Sequence, residues 1–281
     1  MPKSKRVPEL GEIQETLLIP LYARAVETRK RHGILQDPRA VEMVESIDYD
    51  FSRFDGAKSL IGANLRTLQF DSWVRDFLRR HPSGTVVEIG TGLNTRFERL
   101  DNGTVHWFDL DLPDVIALRR RFFEDTDRRH TLAASVTDPA WTEAVRASPG
   151  PYLLVAEAVL IYLDDRQVRS VVDLVAESLP GAHLALETAN DHAIARQDSH
   201  DVLGAMAARM KWRCDDPRQL ETWRPDLRLT DSRTFADLPA AERRALPLSM
   251  RLLLRAMAVL RRRDLESYRL NLFRFGESGT A

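Results

Sequence analysis

Apolar positions recur at helical spacing through the first eighty residues. Leu17, Leu18, Leu21 and Ala25 share one face, and the pattern breaks around His32 and Gly33. Asp37-Pro38 predicts the start of a second helix, with proline in the first turn where its missing N–H is no loss. A third helix is expected from about Ala57 to Arg80, with Leu65, Leu68, Trp73, Phe77 and Leu78 on its apolar side. Pro82-Ser83-Gly84 ends it. The periodicity then changes. Thr85 to Ile89 is a short β-branched run closed by Gly90 and Gly92, and similar runs follow at 105–108, 131–134, 152–156 and 183–187. Helical stretches at 114–123, 139–146 and 164–179 separate them, an alternation that predicts βαβ units and a parallel sheet. The stretch 198–223 reads as an amphipathic helix that interrupts this alternation, with strands at 227–230 and 268–273 flanking a further helix at 238–263.

These elements predict a single α/β domain in four parts. Residues 1–82 form a helical N-terminal cap, 83–190 a cofactor-binding half, 191–225 a helical lid insertion, and 226–281 the last elements of the sheet. A chain of 281 residues can bury a core large enough to need no staples. Lysine plus arginine total 41 against 42 acidic residues, a balance that argues against a dedicated nucleic-acid binder. The single cysteine, Cys214, excludes an internal disulfide framework and a multi-thiolate zinc site, and no H-E-x-x-H pattern supplies another metal site. The first ten residues start basic, but Glu9 and Glu12 precede any apolar stretch and Pro20 breaks Leu17-Leu18-Ile19, so no signal peptide is expected. The apolar run Tyr152 to Leu163 is interrupted by Glu157 and too short to span a bilayer. A cytosolic protein without a membrane partner is the expectation; the oligomeric state is not legible.

The chemistry concentrates in Val86-Val87-Glu88-Ile89-Gly90-Thr91-Gly92-Leu93-Asn94-Thr95-Arg96. Glycines at the end of a first strand let a ligand approach the backbone, and the following helix start presents unpaired N–H groups. Thr95 stands where a dinucleotide fingerprint wants its third glycine or alanine. Glu88 just ahead of Gly90 and Gly92 instead suits adenosylmethionine, which has an ammonium group and no pyrophosphate. At the end of the second strand, Asp109 and Asp111 both qualify to bind ribose hydroxyls, with helix capping as the alternative for either.

The glycine segment, together with Asp109-Leu110-Asp111-Leu112-Pro113-Asp114-Val115-Ile116 and Ala156-Glu157-Ala158-Val159-Leu160-Ile161-Tyr162-Leu163, resembles the leucine carboxyl methyltransferase superfamily, in particular its tetracenomycin-type polyketide carboxyl methyltransferase branch. The resemblance extends to Leu18 through Ala25, Arg66 through Asp71, and Lys211-Trp212. It implies the class I methyltransferase fold, a Rossmann-like, mostly parallel seven-stranded sheet, with adenosylmethionine as cofactor. It also implies that Arg66 pairs with the methionine carboxylate, Gly90 underlies the amino-acid portion, and Asp111 with Leu112 meets the ribose. Ser135 and Val136 would flank adenine, and Glu157 would face the amino group. Two positions depart from the family pattern: Asn94 replaces an aspartate, and Ala23 replaces the lysine of protein-directed members, leaving Arg24 as the nearby cation.

The expected reaction is methyl-ester formation on a small-molecule carboxylate, an aromatic polyketide. Arg24 and Tyr162 would orient the acceptor with no general base, and Met206, Met210 and Trp212 would form a lid over it. Methylation of a phenol, with His192 or His200 as base, and methylation of the C-terminal carboxylate of a modified peptide are the alternatives.

Overall fold

The central strand is buried at every position. It is β1 (Thr85–Ile89), flanked by β2 (His106–Asp111) and β4 (Tyr152–Ala156), with β3 (Arg129–Ala133) beyond β2. The structure, a computed structural model, describes residues 10, 11 and 13–277; the leader reading over residues 1–9 and Glu12 lies outside them. On the other side, β4 is followed by β5 (His183–Ala189), then β7 (Tyr268–Phe275) and β6 (Leu227–Arg233). Pairing is parallel from β3 to β5, whereas β7 runs antiparallel between β5 and β6. This seven-stranded order, β3-β2-β1-β4-β5-β7-β6, is the expected fold class. The chain reverses its direction of travel across the sheet between β1 and β4. Loops leaving the carboxyl ends of these strands therefore diverge and open a crevice.

Helices cover both faces. Strand residues alternate between two cores because successive side chains point to opposite sides. Val86, Leu153 and Val155 meet Phe70, Trp73, Val74 and Phe77 of the long helix α3 (Ser59–Arg80). Val87, Leu154 and Leu184 meet the valines of α7 (Asp165–Ser178), numbered so because three short helices, α4 (Arg96–Leu100), α5 (Pro113–Arg119) and α6 (Ala140–Arg146), precede it. A capping box, Asp164 with Gln167, starts α7. At the amino-terminal end, α1 (Leu18–Thr28) packs on α2 (Pro38–Ser46), whose cap Asp37 accepts the Ala40 N–H at 3.0 Å.

Two helical expectations fail. After the short α8 (Asp191–Ala195), the stretch 198–223 is not an amphipathic helix but a set of 3₁₀ turns, Gln197–Ser199, Leu203–Ala205 and Pro217–Thr222, joined by irregular chain. Its apolar side chains serve different cores: Val202 and Met206 join the α1–α2 cluster, while Trp212, Cys214 and Leu220 join the sheet. The backbone follows them. The Lys211 N–H donates to the Ile161 carbonyl at 2.8 Å and the Cys214 N–H to that of Ala189 at 2.9 Å, bonds a continuous helix would forfeit. The helix expected at 238–263 is divided into α9 (Ala240–Ala245), α10 (Leu248–Leu260) and α11 (Arg262–Glu266), with Pro247 separating the first two. Among the described residues no helix is long and apolar enough to cross a membrane.

Candidate active site

At the end of β1 the chain turns through two glycines in the left-handed region, Gly90 at φ +61° and Gly92 at φ +49°. A Cβ on Gly90 would lie 2.3 Å from a Val159 methyl, so the turn is pressed against the loop leaving β4. The Gly92 N–H donates to one Asp111 oxygen at 2.7 Å and the Leu112 N–H to the other at 2.8 Å. The Asp111 carboxylate is thus fixed at the lip of the turn. Burial pushes it up to about 6, against those two N–H bonds. Asp109 has a different fate. It is buried between Arg119 at 2.9 Å and Arg129 at 2.7 Å and accepts the Thr91 hydroxyl at 2.9 Å. Although burial opposes ionisation, the two guanidiniums hold Asp109 below the usual carboxylate range.

A cavity of about 820 Å³ opens over this turn. Its lining brings together Arg66, Glu88, Gly90, Gly92, Asp111, Leu112, Ser135, Val136 and Glu157, every position singled out for the cofactor. Asp109 is not among the lining residues.

Beneath the cavity lies a buried charge network. Arg96, wholly enclosed, donates to Asp71 at 2.7 Å and also to Glu88 and Glu157. Arg66 Nε reaches Glu157 at 3.0 Å and Glu187, on β5, at 3.5 Å, while Arg99 pairs with Asp71 at 2.9 Å. Four carboxylates therefore meet three guanidiniums. The shortage of positive charge shows in the titration. Burial pushes Glu88 up to about 7 and Glu187 up to about 8, whereas Arg96 and Arg66 hold Glu157 below its usual value despite its burial. One oxygen each of Glu88 and Glu187 has no hydrogen-bond partner among the described residues. Unmatched negative charge, a cradle only glycine can form, and a carboxylate at its lip fit a cationic amino-acid ligand carrying ribose hydroxyls. Ala158, between Glu157 and Val159, adopts φ +57° and donates its N–H to Glu187 at 2.8 Å, so this carboxylate also holds the β4 loop.

The acceptor-side expectations are partly corrected. Arg24 reaches the cavity wall, but its guanidinium is paired, donating from Nε to Asp37 at 2.8 Å and from Nη2 to the Leu93 carbonyl at 2.7 Å. It ties α1, the α2 cap and the glycine turn together, so it is a structural pair and not a free cation for the acceptor. Of the expected lid residues only Met210 lines the cavity. Met206 is packed under α1, and Trp212 is buried in the sheet core beside Cys214, because the chain between them crosses from one core to the other. Tyr162 does line the cavity, and burial pushes its phenol up to about 12.

Sequence reasoning missed Glu187 and Tyr268. Tyr268, at the start of β7, lines the cavity near Arg66, and burial pushes its phenol well above its ordinary value. His192 and His200 also line the cavity; His192 Nε2 lies 2.8 Å from Asp264, and burial lowers His200.

Known proteins share this plan. Residues 18–176 match the family model described as Leucine carboxyl methyltransferase. The chain is 34% identical over 232 residues, 82% of its length and 86% of the relative's, to the tetracenomycin polyketide synthesis O-methyltransferase TcmP of Streptomyces glaucescens. It is 27% identical over 76% of its length and 80% of the relative's to the S-adenosyl-L-methionine-dependent methyltransferase dpfgK of Gibberella zeae. In fold alone it resembles a DUF574 family protein from Streptomyces avermitilis, with a TM-score of 0.57 at 17% identity over 93% of this chain and 97% of that one. With more than half its length matched by the family model and these elements around one cavity, the chain belongs to the leucine carboxyl methyltransferase family and is an adenosylmethionine-dependent O-methyltransferase.

Proposed function

We propose that the enzyme forms a methyl ester on a carboxylate of an apolar, aromatic small molecule of polyketide type, as a cytosolic step of natural-product biosynthesis. The observation that carries this is the pair of phenols, Tyr162 and Tyr268, in the cavity wall next to Arg66; a phenol is protonated at neutral pH, and burial moves both further from ionisation. Protonated phenols donate hydrogen bonds to an acceptor oxygen and do not remove a proton from it. That suits a carboxylate, which is ionised at neutral pH and needs no base. Both support coming from TcmP, whose name places it in polyketide synthesis, and the family's carboxyl chemistry point the same way.

Adenosylmethionine, when bound, supplies an electrophilic methyl group on a sulfonium. The residues of this chain then have positioning roles. Asp111 accepts hydrogen bonds from the ribose hydroxyls, Ser135 and Val136 flank the adenine, and Arg66 pairs with the methionine carboxylate. Glu157, with Glu88 behind it, faces the ammonium. Tyr162 and Tyr268 hold one acceptor oxygen and leave the other in line with the methyl, a positioning effect that can contribute about 7–11 kcal/mol.

A phenolic acceptor is the second reading, favoured by the His192–Asp264 pair at the cavity wall. A carboxylate on one ring nitrogen orients the other as a base. Product chemistry separates the two: a methyl ester releases methanol in mild alkali, and an ether does not. A base-stable product, formed with a rate that rises through one pKa and is lost in His192→Gln, would overturn the ester.

A further inference from the structure

We infer that the connection between β6 and β7 builds the acceptor pocket, and that α10 sets the size of acceptor the enzyme takes. The reacting group is that of the ester reading above; the size selection stands on separate residues.

Past Tyr162 and Tyr268 the cavity continues between walls that the cofactor residues do not supply. Met250, Leu253, Leu254 and Met257 of α10 all line it. Their spacing of three, four and seven places them along one face of the helix. This face is anchored through a small core of its own, where Leu254 and Met250 pack with Leu65, Leu68, Leu238 and Leu246. The wall is thus attached to α3, with Phe235 linking it to the sheet core that α3 covers.

The chemistry of this wall is uniform. Every α10 residue that reaches the cavity is apolar, and two are methionines, whose unbranched chains adapt to irregular shapes. The charged groups nearby, Asp264 with His192 at 2.8 Å and Arg196 at 3.3 Å, satisfy one another. Such a surface reads the volume of an acceptor's body and leaves polar recognition to the far end. Leu253 lines the cavity while 48% exposed, so α10 stands at its mouth and bounds the width of what enters. The cofactor half takes up part of the cavity's volume of about 820 Å³, and the acceptor's share is the part beyond the two phenols, walled by four apolar residues of α10. An apolar wall of this length matches a multi-ring apolar acid and not a benzoate-sized one.

The test is calorimetric titration of enzyme saturated with adenosylhomocysteine, using anthracene-2-carboxylate, benzoate and 2-anthrol. The wild type should bind the tricyclic acid at least about tenfold tighter than benzoate, and Leu253→Trp or Met257→Trp should weaken the tricyclic acid by about the same factor. Benzoate and adenosylhomocysteine affinities should hold, which also checks the fold. Met257→Ala, which removes bulk, should shift preference toward pyrene-1-carboxylate. Equal weakening of large and small acids, no change in either, or failure of both tricyclic ligands to bind the wild type would overturn the assignment to α10. Binding and methylation of 2-anthrol but not of the acid, with the same response to Leu253→Trp, would sink the ester reading and leave the size selection standing.

Discussion

Asp109 and Asp111 point to the same face of β2, two positions apart, yet one is paired inside the fold and the other lines the cavity. The difference is depth. Asp109 sits where Arg119 and Arg129 converge, while Asp111 lies at the strand end against two backbone N–H groups. Asp111→Ala should weaken adenosylhomocysteine binding by about 1.5–3 kcal/mol, as for a hydrogen bond to a charged group, with the melting temperature nearly kept. Asp109→Ala should do the reverse, since it strands two buried guanidiniums at a cost of about 3–5 kcal/mol. Titration calorimetry and thermal melts on both variants check the pair. A loss of binding in Asp109→Ala alone would reverse the assignment.

At the scale of elements, what joins the amino-terminal helices to the glycine turn is the Arg24–Asp37 pair. Asp37 caps α2 and accepts from Thr95 just ahead of α4, while Arg24 also holds the Leu93 carbonyl. Arg24→Met leaves Asp37 buried without its main partner, so the melting temperature should fall by the equivalent of about 3–5 kcal/mol. Below the transition, acceptor KM should be little altered. An unchanged melting curve with a raised acceptor KM would restore Arg24 as an acceptor-binding residue. The same element-level logic explains why Trp212 stays away from the cavity: it is a packing residue of the sheet, and the chain around it takes its shape from the cores it crosses.

Across the whole molecule, α3, β1, α4, β5 and the loop leaving β4 each contribute to one buried network with an excess of negative charge. Glu88 and Glu187 have folded pKa values raised from 4.5 to about 7 and about 8. A raised carboxyl pKa means the folded state holds its proton longer than the unfolded chain. Its contribution to stability is therefore complete below the unfolded value and is lost as pH climbs through the folded one. The ligand-free enzyme should accordingly melt at falling temperatures from about pH 4.5 to about pH 8 and level off above that. A cationic ligand favours the ionised carboxylates, so adenosylmethionine should release protons on binding and bind more tightly as pH rises to about 8. Calorimetry in buffers of different ionisation heat measures the release, which Glu187→Gln should reduce. Proton uptake instead of release would contradict this account of the network.

How much of this was legible beforehand follows from how local each signal is. β-branched runs closed by glycines, the Gly90-x-Gly92 turn and the acidic end of β2 depend on neighbours in the chain, so the sequence by itself determined the strands, the parallel half of the sheet and the glycine turn beneath the cavity. The partners of charged and apolar side chains depend on distant segments. Arg24 is free or spent only according to where the α2 cap arrives. Tyr268 enters the cavity because β7 inserts antiparallel between β5 and β6, 106 positions after Tyr162. The stretch 198–223 has helical periodicity, but two separate cores compete for its apolar residues and break it. Only the tertiary structure decided those outcomes, because burial and ion pairing are settled by which surfaces meet, and packing outweighs the modest preference of a short segment for one backbone conformation.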